Sequence, residues 1–423
     1  MSRKMSHRIT LFSLLFLALV IVQDIGSSQK ERKLQIAIVG SVADDPQFNP
    51  FVVCSPKQVK LLLLEMADSP LKKEEIESRL SDSKTKFEDL IRLEIIKQEG
   101  ELYYLNFPLF TENDEAKIME VAEKYGQFLA ESILKNKDQI YELLEEYQPS
   151  GIGKDKLAFI AVGCLCLDLG ALELLAEKDY IIHEPEKPGG NHYILNAEEV
   201  TEFSLKEMYW GCHSESINGT MFMTFGDHDT GTKRYGFPDI LSGLGGSLSL
   251  LMPELYRDEL KTVLGDQVDN LMKKIGEVLH VLKKMPSIFE EVQKSSSIDA
   301  EELEHILDLL IKINYVAVKD KVYFLAVPVF SGADRGMLTR IQGIVNQEIL
   351  NWTEAYYEQI KSDLKDITAV KNNVNYKETF NMLWHYFFGY TNKSLARSGF
   401  IYDTYQGSPE QQGYLPAVMI RKF

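Results

Sequence analysis

An internal repeat constrains this chain more than any other feature of its sequence. Phe87–Thr111 aligns with Leu307–Ser331 without a gap, each residue meeting the one 220 positions further on. Leu90 meets Leu310, Ile91 meets Ile311, Tyr103 meets Tyr323, Leu105 meets Leu325, Pro108 meets Pro328 and Phe110 meets Phe330. Between these identities the chemistry matches as well, as in Glu88 with Asp308, Arg92 with Lys312 and Ile96 with Val316. Duplication explains such a run and chance does not. Whatever local structure one copy adopts, the other must adopt too.

The hydrophobic periods give that structure. In the first copy, residues 59–66 and 72–80 carry two short helical patterns. Ser81, Asp82 and Ser83 offer N-cap side chains to a third helix, 84–94, whose apolar stripe is Phe87, Leu90, Ile91 and Ile95. Residues 95–105 then read as two strands around a turn at Gly100. The second copy predicts helices over 267–284 and 287–294, a third helix with Asp299 and Glu302 in capping-box spacing, and a hairpin over 315–325. A Pro-Leu-Phe or Pro-Val-Phe segment follows each hairpin, and then a long amphipathic helix, 114–146 and 335–364. In the first of these, Ile118, Val121, Ala122, Tyr125, Leu129 and Ile133 share a face suited to a partner helix or to self-association. Three helices and a hairpin in this order describe a winged helix-turn-helix. The expected fold is α+β and helix-rich, with two such units, 56–147 and 266–364, flanking a mixed α/β middle domain.

The third helix running into Leu-Ile-Arg-Leu-Glu-Ile-Ile-Lys (90–97), with a hairpin ending Leu-Tyr-Tyr-Leu (102–105), resembles bacterial winged-helix transcriptional regulators of the ArsR and MarR type. The likeness covers the two units. It implies a third helix in the major groove, a wing on the phosphates and long flanking helices that make the dimer, so that a duplicated chain serves as its own pseudo-dimer. Base edges and phosphates are read by lysine, arginine and amide side chains. The first unit supplies Lys84, Lys86 and Arg92 along its third helix and Lys97 at its wing, against Asp82, Glu88, Asp89 and Glu94. The second supplies only His305 and Lys312 against Asp299, Glu301, Glu302, Glu304 and Asp308, so it is not expected to dock on DNA in the usual way.

Composition narrows the options. A chain that is 45% hydrophobic and 26% charged is globular, but a net charge of −17 and a pI of about 5.1 exclude coating of nucleic acid by bulk attraction. Any DNA contact must come from a local basic patch. Two readings follow: a DNA-binding transcriptional regulator working through Lys84, Lys86, Arg92 and Lys97, or a protein-interaction scaffold in which both units are solvated docking modules. Neither is an enzyme, and neither needs a cofactor.

The middle region, 152–245, has no counterpart in the alignment and is the expected place for an effector or partner. A buried-looking helix over 155–177 leads to strand-like runs at 180–184 and 192–195, joined as a hairpin through Pro185, Pro188, Gly189 and Gly190. A second β-rich stretch carries 208–210, 220–225 and the turn Gly226–Gly231. His183, His192, Cys212, His213, Asp227, His228 and Asp229 fall close in sequence, and His213, Asp227 and His228 are the candidate metal ligands, although their spacing matches no known ligand pair. The glycine-rich run 242–247 has no phosphate-loop lysine and reads as a linker.

The four cysteines, Cys54, Cys164, Cys166 and Cys212, form no CxxC pair and read as buried free thiols. That suits a reducing compartment. The N-terminus points elsewhere: Arg3, Lys4, His7 and Arg8 precede an unbroken apolar stretch, 9–22, with the charge order of a signal peptide. Segment 1–33 is a membrane tether with the body in the cytoplasm, an export signal, or the product of a start codon placed too early. Residues 373–423 read as an aromatic tail, with Phe380, Trp384, Tyr386, Phe387, Phe388 and Tyr390 on a short helix serving core or dimer contact.

Overall fold

The computed structural model describes residues 32–42, 45–149, 151–182, 185–201, 209–217, 219–227, 270–405 and 413–420. The apolar run 9–22, His183, His228, Asp229 and the segment 242–247 lie outside them. The described chain is α+β, with helix dominant.

Strand β1 (Leu34–Ser41) comes first, then α1 (Pro50–Cys54), α2 (Lys57–Asp68), β2 (Leu71–Lys72), α3 (Lys73–Arg79), α4 (Phe87–Arg92) and the hairpin β3 (Ile96–Glu99) and β4 (Leu102–Leu105). The two-residue β2 closes on β4, giving a sheet in the order β2-β4-β3. Next come β5 (Leu109–Phe110), α5 (Glu112–Leu134), α6 (Lys137–Leu144), the continuous helix α7 (Lys154–Glu177), β6 (Glu186–Lys187) and β7 (Asn191–Glu199). Strand β7 lies between β1, antiparallel to it, and β5, parallel to it.

The chain then repeats the plan. After the hairpin β8 (Tyr209–Ile217) and β9 (Thr220–Asp227) come α8 (270–284), β10 (Ser287–Ile288), α9 (Phe289–Ser295), α10 (Ala300–Lys312), β11 (Val316–Lys319), β12 (Val322–Leu325) and β13 (Val329–Phe330). The long α11 (Arg335–Asp363), α12 (Thr368–Lys371), α13 (Tyr376–Arg397) and β14 (Tyr414–Ile420) complete it. Strand β14 lies between β9, antiparallel, and β13, parallel, as β7 lies between β1 and β5.

The duplication is therefore longer than its visible sequence trace. Ile96 faces Leu105 in one hairpin, and Val316 faces Leu325 in the other. The Pro108 carbonyl accepts from the Ala197 amide at 3.0 Å, and the Pro328 carbonyl from the Val418 amide at 2.9 Å. Asp114 accepts from the Thr111 amide at 2.8 Å, and Asp334 from the Ser331 amide at 2.7 Å, so both long helices start on the same cap. The expected separate middle domain is corrected: α7 and β7 finish the first half, while β8 and β9 begin the second.

Several local expectations also change. The third helix of the first copy starts at Phe87, because residues 82–88 alternate exposed and buried: Ser83, Thr85 and Phe87 turn inward, and the Thr85 hydroxyl donates to the Val53 carbonyl at 2.8 Å. Anchored in this way, and turned by the Ser83 amide on the Leu80 carbonyl at 2.8 Å, residues 81–86 stay outside the helix. In the second copy Asp299 caps α10, but Glu302 accepts from Lys274 at 2.6 Å instead of completing the box. The long helix expected over 114–146 breaks at Lys135 and Asn136 into α5 and α6. Residues 180–182 form no hairpin with β7, whose partners are β1, β5 and the short β6. Gly226 belongs to β9 and not to a turn.

The aromatic stripe expected at the C-terminal end is core, as its residues suggest, but it sits on the 22-residue α13 and not on a short helix. That helix lies along α5, and α11 lies along α7, so the long helix of each half is covered by the apolar helix of the other. Trp384 donates to the Leu167 carbonyl at 2.8 Å and Trp352 to the Tyr125 carbonyl at 2.9 Å. Helix α7 is apolar enough on every side to cross a membrane, yet 72% of its most apolar window is buried in this core. That is where an all-round apolar helix of a packed protein belongs. At Gly126 on α5, an added Cβ would stand 2.8 Å from the Tyr390 Cβ and 2.9 Å from the Phe387 carbonyl oxygen.

Near the start of α5, Glu115 is 3% exposed and its carboxylate accepts from the Thr201 hydroxyl at 3.0 Å. Burial, reinforced by Glu198, Glu199 and Glu112, pushes its carboxyl up to about 8. The folded protein thus keeps a proton that the unfolded chain loses near pH 4.5, and stability falls as pH rises from there to about 8. Glu115→Gln removes the ionisation, so denaturant midpoints at pH 5 and pH 8 are expected to show the variant gaining on the parent with rising pH. An equal difference at both values would mean a solvated carboxylate. Gly126→Ala is expected to cost about 1–3 kcal/mol by overpacking, read as a lower denaturation midpoint at unchanged m-value.

Candidate nucleic-acid interface

Two short carboxylate contacts set the shape of the α4 end. Asp89 accepts from the Lys86 amide at 2.8 Å, capping the helix, and with its other oxygen from the Arg92 guanidinium at 2.7 Å. Arg92 also donates to the Gln47 carbonyl at 3.0 Å and lies 5.8 Å from the centre of the Phe48 ring. Its role is to tie α4 to the segment before α1. Lys97 donates to the Asn373 carbonyl at 2.8 Å, joining the first hairpin to the second half, and pairs with Glu99 at 3.5 Å. Two of the four expected DNA contacts are thus occupied inside the fold.

Lys84 and Lys86 face outward on the alternating run before α4, with Glu88 next on the same side. The Lys86 ammonium donates to the Ser83 carbonyl at 3.0 Å. The tip of the first hairpin turns at Gly100, which takes a φ of 66°, and exposes Glu99 and Glu101 beside it. The second unit has the reverse arrangement. On α10 the exposed face carries Glu301, Glu304 and Asp308 with His305 and Lys312, while its hairpin tip exposes Lys319, Asp320 and Lys321. In neither unit does a basic helix stand with a basic hairpin tip.

Among the described residues, none of the candidate metal residues joins a metal-ligating group. His213 lies on β8, Asp227 ends β9, His192 is exposed on β7, and His228 is outside the described residues. Strand alternation turns His213 to the face opposite Cys212. Cys212 meets a pair that sequence spacing did not join to it, Cys164 and Asp168 on α7. All four cysteines are free thiols; Cys54, Cys164 and Cys166 are buried and Cys212 half-buried. The only sequence signal for the Cys164–Asp168 pair is the i, i+4 spacing on an apolar helix, which does not indicate Cys212.

No family model matches this chain, and no curated protein or solved structure matches it. The resemblance to ArsR- and MarR-type regulators rests on the residues of α4 and the first hairpin alone. Asp89→Ala, which removes both the cap and the Arg92 partner, is expected to cost about 1 kcal/mol or more. Lys84→Ala is expected to fall within about 0.5 kcal/mol of the parent. Chemical denaturation of the two variants checks the contrast.

Proposed function

We propose that this chain is a non-catalytic interaction protein: two winged-helix units fused into an internal pseudo-dimer that engages a protein partner through their exposed third-helix faces. The winged-helix assignment draws on the helix–strand–helix–helix–hairpin order in both halves and on the strand before the second helix closing onto the hairpin. One observation carries the choice of a protein over DNA: in neither unit are the third-helix region and the hairpin tip both basic, since acidic Glu99 and Glu101 follow the Lys84–Lys86 run and basic Lys319 and Lys321 follow the acidic face of α10. A duplex presents phosphate to both elements at once, so one of the two is repelled in either unit. The exposed carboxylates of α10 suit a partner with a basic surface, and a folded protein can place its basic and acidic groups to match a divided pattern.

A second reading, DNA contact by the first unit, is favoured by Lys84 and Lys86 standing exposed on one side of the run that enters α4. Retention of the full chain on fragmented genomic DNA across a salt series separates the two. The protein reading expects no selective retention even at low salt. Selective retention that weakens linearly in log salt and disappears in the double variant K84E/K86E would overturn it in favour of DNA.

A further inference from the structure

Cys164, Asp168 and Cys212 meet across the two halves. Between Phe159 and Gly170, helix α7 is a π-helix. Such stretches rarely exceed one turn and are kept mostly at functional sites. The i, i+4 spacing keeps Cys164 and Asp168 on one face of this helix, and both are buried. Cys212 arrives from β8, with its Sγ 3.6 Å from that of Cys164. One ligand atom from each of the three residues lies within 4.8 Å of the others.

The dimensions fit a metal centre. Thiolates bound at about 2.3 Å to tetrahedral zinc stand roughly 3.8 Å apart, close to the spacing seen here. The electrostatics fit as well. Asp168 is 6% exposed, and among the described residues no side chain is seen to pair with its carboxylate. A buried carboxylate is costly unless it is paired or coordinates a metal.

We propose that Cys164, Asp168 and Cys212 bind one borderline-soft divalent transition metal, Zn²⁺ above all, in a tetrahedral site whose fourth position is left to water or an exogenous ligand. Two sulfurs select such an ion over magnesium or calcium. On binding, the metal displaces the two thiol protons, and the Asp168 proton where present, to solvent; no oxidation state changes. The half-buried Cys212 marks the side from which the fourth ligand enters. Because α7 belongs to the first half and β8 to the second, the ion clamps one half to the other.

The test uses the full chain, stripped with chelator, kept in a phosphine reductant and titrated with Co²⁺. One equivalent is expected to produce thiolate-to-cobalt charge-transfer absorption and the visible bands of tetrahedral cobalt, and one equivalent of Zn²⁺ to bleach both. C164S and C212S lose the absorption. C166S keeps it, because Cys166 lines a different cavity with Phe330, Arg335 and Leu338. D168N weakens binding by at least about tenfold, the scale on which even outer-shell changes act. A rise in melting temperature with Zn²⁺, present in the parent and absent in C212S, gives a second readout should C164S fail to fold. A folded parent without charge-transfer absorption, absorption that persists in C212S, or a Cys164–Cys212 disulfide that survives the reductant would each overturn the proposal.

Discussion

Each half of this chain covers much of the other's long helix. The apolar stripe of α5, from Ile118 to Ile133, is closed by α13, and the stripe of α11, from Met337 to Ile360, is closed in large part by α7. The contact between the halves is made of large side chains: Tyr356 on α11 meets Tyr125 at 5.3 Å between ring centres and Phe128 at 5.4 Å, both on α5. Each such side chain is worth about 1.5–3 kcal/mol when fully buried. Exchange of cover makes the halves interdependent in a way that two domains on a linker are not. It also explains α7 itself, whose apolar surface would be insoluble alone and is met by α11, α13 and β8. Close approach at Gly126 and the indole hydrogen bonds to backbone carbonyls then fix the depth at which the helices cross.

What the sequence disclosed and what it hid divides along range. The hairpins, the apolar stripes and the cap at Asp299 are local, and their residues specify them directly. The offset of 220 survives where hairpin geometry restricts substitution, at Tyr103 and Tyr323 or Pro108 and Pro328. It fades over α7 and α13, where the requirement is only for apolar bulk, met by Cys, Leu and Val in one helix and by Trp, Phe and Tyr in the other. With that trace erased, the second half of the duplication looked like an unrelated middle domain and a tail. Pairing of β7 with β5 and of β14 with β13 is parallel and spans long connections, so no turn residue announces it.

The candidate site shows the same division. Lys84 and Lys86 are exposed, as the charge pattern of their run suggests. Arg92 and Lys97 were equally plausible from sequence, but their partners, the Gln47 and Asn373 carbonyls, are backbone groups contributed by distant segments. A carbonyl carries no residue identity, and a pattern of side chains cannot forecast it. Cys212 is a parallel case, because its sequence neighbours suggested a histidine and aspartate set, whereas strand alternation sends His213 the other way and leaves the thiol to α7.

Fusion also accounts for the charge asymmetry. In a homodimer every substitution appears twice, so a carboxylate on one third helix is a carboxylate on both, and a surface that must touch a duplex symmetrically is held to one composition. A duplicated chain has no such tie. Once α5 and α13 lock the halves together, assembly no longer depends on the exposed faces, and α10 can gain Glu301, Glu304 and Asp308 while the run into α4 retains Lys84 and Lys86. The buried seam has not been free in the same way. Both halves keep the aspartate cap on the long helix and the proline carbonyl that takes the returning strand. Shared geometry at the seam and divergent charge at the rim are what a duplicated chain can acquire once its halves are locked together.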